Sequence, residues 1–189
     1  MRTYIDLGLH DYISARYQTG QPVRAAVIPF DVPETFAPPG SDSVNFGRQL
    51  AQRFISEMHR TAELPILELF NRNSWPGKRD EFFSGNYTAI QSARDAGYDF
   101  VMVGYFEAPT NANDLNIFTK LIDTSNGVTV WYAKTFVYSD ARDVRRDLAD
   151  WGLATDRREF FAYPQRVELF ASCTVDRMVN VDPNSPDIQ

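Results

Sequence analysis

Residues 99–138 read DFVMVGYFEAPTNANDLNIFTKLIDTSNGVTVWYAKTFVY. Three runs within them, 99–107, 115–122 and 128–138, are rich in β-branched and aromatic residues and are broken by turn-forming residues, the pattern of successive strands. The last two are joined by Asp123-Thr124-Ser125-Asn126-Gly127. Asn126-Gly127, expected at positive φ, predicts an antiparallel hairpin there.

Upstream, 23–30 (VRAAVIPF) is a short apolar run suited to a central strand, with Pro29 marking its exit, and 64–70 (LPILELF) reads as a second strand. Between them Leu50, Ala51, Phe54, Ile55 and Met58 recur at three- and four-residue spacing, so 44–62 is predicted to be an amphipathic helix with Ser43 as N-cap. Residues 86–96 predict a short helix with Ala89, Ile90, Ala93 and Ala96 inward and Gly97 just past its end. From Pro164 onward, Val167, Phe170, Ala171, Val175, Met178 and Val179 mark a final helix with proline in its first turn.

The order is β-α-β-α-β-β-β-α, which predicts an α/β fold with a mixed five-stranded sheet, parallel where helices cross over and antiparallel at the hairpins. Residues 31–43 and 71–85 read as loops, and 139–163 as helical or irregular. The organisation expected is an N-terminal arm over 1–22, docked or forming a short helix, a single α/β domain over 23–181, and a frayed tail over 182–189.

Composition narrows the function. A chain of 189 residues, 43% hydrophobic and 14% aromatic, is long enough for one sizeable core. Its net charge of −6 argues against general nucleic-acid binding and against adhesion to an anionic membrane by charge alone. No run approaches the ~20 apolar residues needed to span a bilayer. With Cys173 as the single cysteine, no intrachain disulfide is possible; its place in the last apolar-periodic segment suggests a buried or half-buried spacer rather than a reactive thiol.

No catalytic constellation is legible. His10 and His59, the two histidines, stand in no metal-binding spacing, and no nucleophile elbow, dinucleotide fingerprint or phosphate loop occurs. Asp80-Glu81 and Asp31 are acid/base candidates on residue type, but Asp31 at a strand end fits a loop ligand for backbone N–H groups better. Neither cofactor nor metal is expected. Arg142, Arg145, Arg146, Arg157 and Arg158, with Arg166 beyond them, form a locally basic region interleaved with acids, either a solvated helix face or a dock for an anionic glycan or acidic partner. Phe36, Trp75, Phe82 and Phe83 fall in the predicted loops, where they either fold back onto the core or anchor an interface or a sugar ring.

Four stretches carry a resemblance when taken together: AAVIPF on the first strand, GRQLAQRFISEM on the first long helix, AIQSARDAGYDFVMVGYF, and KLIDTSNGVTVW. Over roughly residues 23–138 the chain resembles the family of bacterial envelope lipoproteins that includes the curli secretion lipoprotein, the N-terminal domain of the translocation protein TolB, and small lipoproteins serving flagella, penicillin-binding proteins and polysaccharide export. The shared motifs are structural: Gly97 ending a helix, Gly104 inside a strand where a side chain would crowd its neighbour, and the turn at 123–127.

The resemblance implies a non-catalytic, periplasmic, outer-membrane-associated domain that assembles or assists a secretion, polysaccharide-export or motility apparatus, with self-association and other envelope proteins as partners. It leaves two alternatives: a monomeric activator of a peptidoglycan synthase, and a small-molecule-binding enzyme. No lipidated cysteine stands near the start, so membrane contact is expected only through an anchor outside this chain, and a native Met1 would instead imply the cytoplasm. No segment matches the long hairpins with which the curli channel builds its barrel.

Overall fold

The computed structural model describes residues 1–17, 21–33, 43–61, 63–70, 78–107, 114–138 and 163–179. Arg24–Val27 forms strand β2, whose Ala25, Ala26 and Val27 are fully buried. Small apolar residues on both faces suit a strand with neighbours on either side and helices above and below. Those neighbours are β3 (Ile66–Leu69) and β4 (Phe100–Glu107), both parallel to β2. Helix α2 (Ser43–Thr61) connects β2 to β3, and α3 (Lys78–Ser84) and α4 (Tyr87–Asp95) lie between β3 and β4. β4 continues antiparallel into β5 (Asp114–Asp123), and β5 into β6 (Thr129–Tyr138). The last described helix is Tyr163–Val179 (α5).

Two expectations about the elements themselves need correction. The sheet has six strands among the described residues, not five, in the order β1-β6-β5-β4-β2-β3. The additional strand, β1 (Arg2–Asp6), comes from the segment read as an arm and pairs antiparallel with β6; α1 (Leu9–Arg16) follows it. Five residues are too few for a period-two signal to stand out from the helix that follows, whereas the unpaired edge of β6 gives their backbone groups ready partners. The second correction is α3, which occupies part of a predicted loop. KRDEFFS has no apolar repeat; its anchor is the single buried Phe82, with Asp80 and Glu81 in the first turn where the helix dipole favours them.

The hairpin over 123–127 closes as expected, with the Gly127 N–H donating to the Asp123 carbonyl at 2.8 Å. Only Gly127 supplies a positive φ there, at 75°; the non-glycine residue with positive φ among the described residues is Asn86, not Asn126. Helix α4 buries Ala89, Ile90 and Ala93, but Ser92 rather than Ala96 completes its inner face.

One junction organises the parallel half of the sheet. Pro29 has no N–H to give, and beyond it the Phe30 N–H donates to the Gly47 carbonyl on α2 at 3.1 Å. The Phe30 ring then lies against β4 at Gly104, where an added Cβ would come within 2.5 Å of its Cε2; a Cβ on Gly47 would come within 2.0 Å of the Phe30 carbonyl oxygen. Both glycines are required by close approach, and Gly104 is the interior glycine anticipated from the sequence.

On one face of the sheet α1, α2 and α5 enclose the larger core. Phe54 sits 5.0 Å from Phe30 and 5.2 Å from Phe170 between ring centroids, with Leu50, Met58, Met102, Phe106 and Trp131 around them. Each fully buried large side chain here contributes about 2–3 kcal/mol of transfer free energy. The N-terminal segment is tied to this face by a buried carboxylate. Asp123, with no exposed side-chain area, accepts from Tyr12 Oη at 3.0 Å and pairs with Arg16 Nε at 2.8 Å; the Ser125 N–H and Oγ donate to its other oxygen. Burial first, then Asp99 and Asp123 nearby, pushes the adjacent Tyr17 hydroxyl up to about 12.

Candidate functional site

Side chains alternate between the faces of a strand, so the register of β5 and β6 fixes what the opposite face presents. Lys120 stands beside Tyr132, and Phe118 beside Lys134. One strand further on each side, Tyr105 on β4 pairs with Phe118 and Arg2 on β1 pairs with Lys134. Aromatic rings and cations therefore alternate along and across four strands.

The rings are in mutual contact. Tyr4 stacks on Tyr132 with centroids 4.7 Å apart, and Tyr105 lies parallel to Phe118 at 5.5 Å and 8°. Helix α3 covers part of this layer. Its Phe82 is 1% exposed and lies 5.9 Å from both Tyr105 and Tyr132, while the adjacent Phe83 is 59% exposed and turns an edge toward Tyr105 and Phe118. Tyr4, 43% exposed, and the half-buried Tyr132 continue the surface toward β1.

Each cation lies over a ring. Arg2 is 5.3 Å from the Tyr4 centroid and Arg79, on α3, is 5.5 Å from that of Tyr105. Lys120 Nζ sits 4.3 Å from Phe82 and 4.9 Å from Tyr132, and it donates to the Phe82 carbonyl. Lys134 lies 4.8 Å from Phe118 and 5.2 Å from Phe136 and pairs with Glu107 at 2.6 Å; Asn116 Nδ2 donates to the same carboxylate at 3.0 Å. Burial holds Lys120 below the usual lysine range and raises the Tyr132 and Tyr105 hydroxyls. Arg2 and Lys134 are partners in the β1–β6 register, with Lys134 paired to Glu107 and Arg2 set over Tyr4. The chemistry offered is recognition: donors of positive charge set among apolar ring faces.

The sequence candidates are scattered relative to this surface. Phe83 is on it and Phe82 beneath it, so of the two only Phe83 is available as an interface residue. Phe36 and Trp75, and the arginines 142, 145, 146, 157 and 158, lie outside the described residues. Arg166 falls on α5. His10 is exposed and bonds Glu63 at 3.2 Å, and His59 is exposed on α2. Asp31 continues the strand path as a parallel bridge to Tyr105, its N–H donating to the Gly104 carbonyl and its carbonyl accepting from Phe106. Cys173 is exposed, contrary to the buried spacer expected: Phe170, Ala171, Thr174, Val175 and Met178 form the inner stripe of α5, and residue 173 lies off it. Among the described residues no group of three or more metal-ligating side chains converges, and no helix is long and apolar enough to cross a membrane.

The residues that reasoning from sequence missed are Arg2, Tyr4, Arg79, Tyr105, Phe118, Lys120, Tyr132 and Lys134. A local signal existed in β5 and β6, where Phe118-x-Lys120 and Tyr132-x-Lys134-x-Phe136 put bulky aromatic and cationic side chains on the face opposite the core.

No family model matches the chain, and no curated protein matches it. Among solved structures, the chain is similar to the PelC dodecamer from Paraburkholderia phytofirmans, at 12% identity over 87% of this chain and 96% of that one, with a TM-score of 0.48. It is also similar to the hypothetical protein CT253 from Chlamydia trachomatis, at 10% identity over 83% and 94% of the two chains and a TM-score of 0.48. A third similar structure is the LpoB C-terminal domain from Salmonella enterica, at 12% identity over 70% and 96% and a TM-score of 0.38.

Proposed function

We propose that this chain is a non-catalytic binding and assembly domain of the bacterial envelope, working in the periplasm at the outer membrane. In this reading it self-associates and meets its partner through the cation–aromatic sheet face. The observation that carries the reading is that face, where Tyr4, Phe83 and Tyr132 remain partly exposed among Arg2, Arg79, Lys120 and Lys134. Partly exposed aromatic rings beside arginine are the composition of interface hot spots. The envelope assignment is supported by the motif series AAVIPF, GRQLAQRFISEM, AIQSARDAGYDFVMVGYF and KLIDTSNGVTVW.

Light scattering after size exclusion, over a concentration series of the purified chain, tests the assembly half of the reading. A discrete oligomer of fixed mass is expected. A strict monomer of 21.6 kDa at every concentration would remove self-association and favour a regulator that acts on its partner one molecule at a time.

A further inference from the structure

We propose that the cation–aromatic face binds a single strand of carboxylated glycan, a polymer of uronic-acid-type sugars. The proposal rests on reading this face as the working surface and adds the chemistry of its ligand.

The argument begins with charge. The whole chain carries −6, yet Arg2, Lys120 and Lys134 are gathered on adjacent strands with Arg79 above them on α3. Glu107 is bonded to Lys134, but no carboxylate bonds Lys120 or Arg2 among the described residues. Lys120 is half-buried between two rings, and Arg2 faces Lys134 directly across β1 and β6. Concentrated, partly desolvated positive charge on an acidic protein is satisfied by an anion brought from outside, because charge-assisted hydrogen bonds are shorter and stronger than neutral ones.

The second part is shape. The cations are embedded in ring surfaces, and the exposed rings of Tyr4 and Phe83 and the half-buried ring of Tyr132 border them. A pyranose has one apolar face of C–H groups that lies against an aromatic ring, and a uronate adds a carboxylate at its edge. Ring and cation side by side match those two features. A wide anionic membrane would approach the rest of an acidic molecule and be repelled by it, whereas a thin strand meets only the cationic stripe. An extended acidic peptide supplies the charges but no regularly repeated apolar face for the rings.

Isothermal titration calorimetry on the full chain tests this with four probes: oligogalacturonate, a neutral malto-oligosaccharide of equal length, poly-glutamate, and phosphatidylglycerol vesicles. Oligogalacturonate is expected to bind, with the other three at least tenfold weaker. Lys120→Met and Lys134→Gln should each weaken it about tenfold, the loss of one charge-assisted contact. Arg79→Gln and Phe83→Ser, at exposed positions on α3 where unfolding is not at issue, should weaken it severalfold. Equal binding of the neutral sugar, or unchanged binding by all four variants, would overturn the proposal. Tighter binding of poly-glutamate or vesicles, abolished by the same variants, would overturn the glycan while leaving the face as the working surface. No binding by any probe would overturn it too, and the scattering series then decides separately whether the assembly reading survives.

Discussion

The two faces of the sheet are built from the same strands and differ in what they do with aromatic residues. Under α1, α2 and α5, the rings of Phe30, Phe54, Phe106 and Phe170 are wholly buried among aliphatic side chains, and the buried hydroxyls of Thr135 and Thr174 bond each other at 3.0 Å. On the far side, beneath and beside α3, rings alternate with lysine and arginine, and several remain partly in solvent. The first face excludes water and pairs the Thr135 and Thr174 hydroxyls, although Trp131 Nε1 and Thr119 Oγ1 stay buried there without a hydrogen-bond partner among the described residues. The second carries a half-buried ammonium whose charge burial disfavours, a cost that the proposed recognition role would account for.

This contrast is broken most severely from the buried side. Phe54→Ala removes a ring packed against Phe30 and Phe170 and should destabilise the fold by about 4 kcal/mol, measured by urea denaturation. Asp123→Ala leaves Arg16 without its carboxylate and removes the buried acceptor of Tyr12 and of the Ser125 N–H; the lost hydrogen bonds should cost about 2 kcal/mol, with α1 exchanging its amide hydrogens faster than α2. Gly104→Ala forces a methyl group into the Phe30 ring and should cost about 2 kcal/mol, rescued in part by Phe30→Leu.

The exposed side should respond weakly in stability. Phe83→Ser should shift it by less than about 0.5 kcal/mol. Lys120→Met should raise the melting temperature at neutral pH, since burial disfavours the lysine's charge. The sign follows from the folded pKa lying below the ordinary 10.5. The wild type bears the penalty while both states are charged, and it recovers as pH rises from the depressed folded value toward 10.5, so the difference between variant and wild type should shrink over that window.

Much of the fold was legible because it follows local rules. The three- and four-residue spacing of Leu50, Phe54 and Met58 located α2, and the residues of 123–127 located the hairpin. The exit of the first strand at Pro29 and the crowding at Gly104 were also readable, although only the structure shows that they meet at one ring. The strand at residues 2–6 and the helix at 78–84 escaped for the opposite reason. Each is too short to carry a period, and each is fixed by tertiary partners: β6 for the one, the seat of Phe82 for the other. The site was hidden still more deeply. It joins residues from positions 2 to 134 through strand register, a property of pairing between distant segments rather than of any window of sequence.

The most direct test of the division between the faces is hydrogen–deuterium exchange of the full chain with and without oligogalacturonate. Added protection is predicted over 2–6, 78–84, 116–122 and 130–136, with α2 and α5 unchanged. Protection confined to α2 and α5, or none anywhere at saturating glycan, would contradict the account.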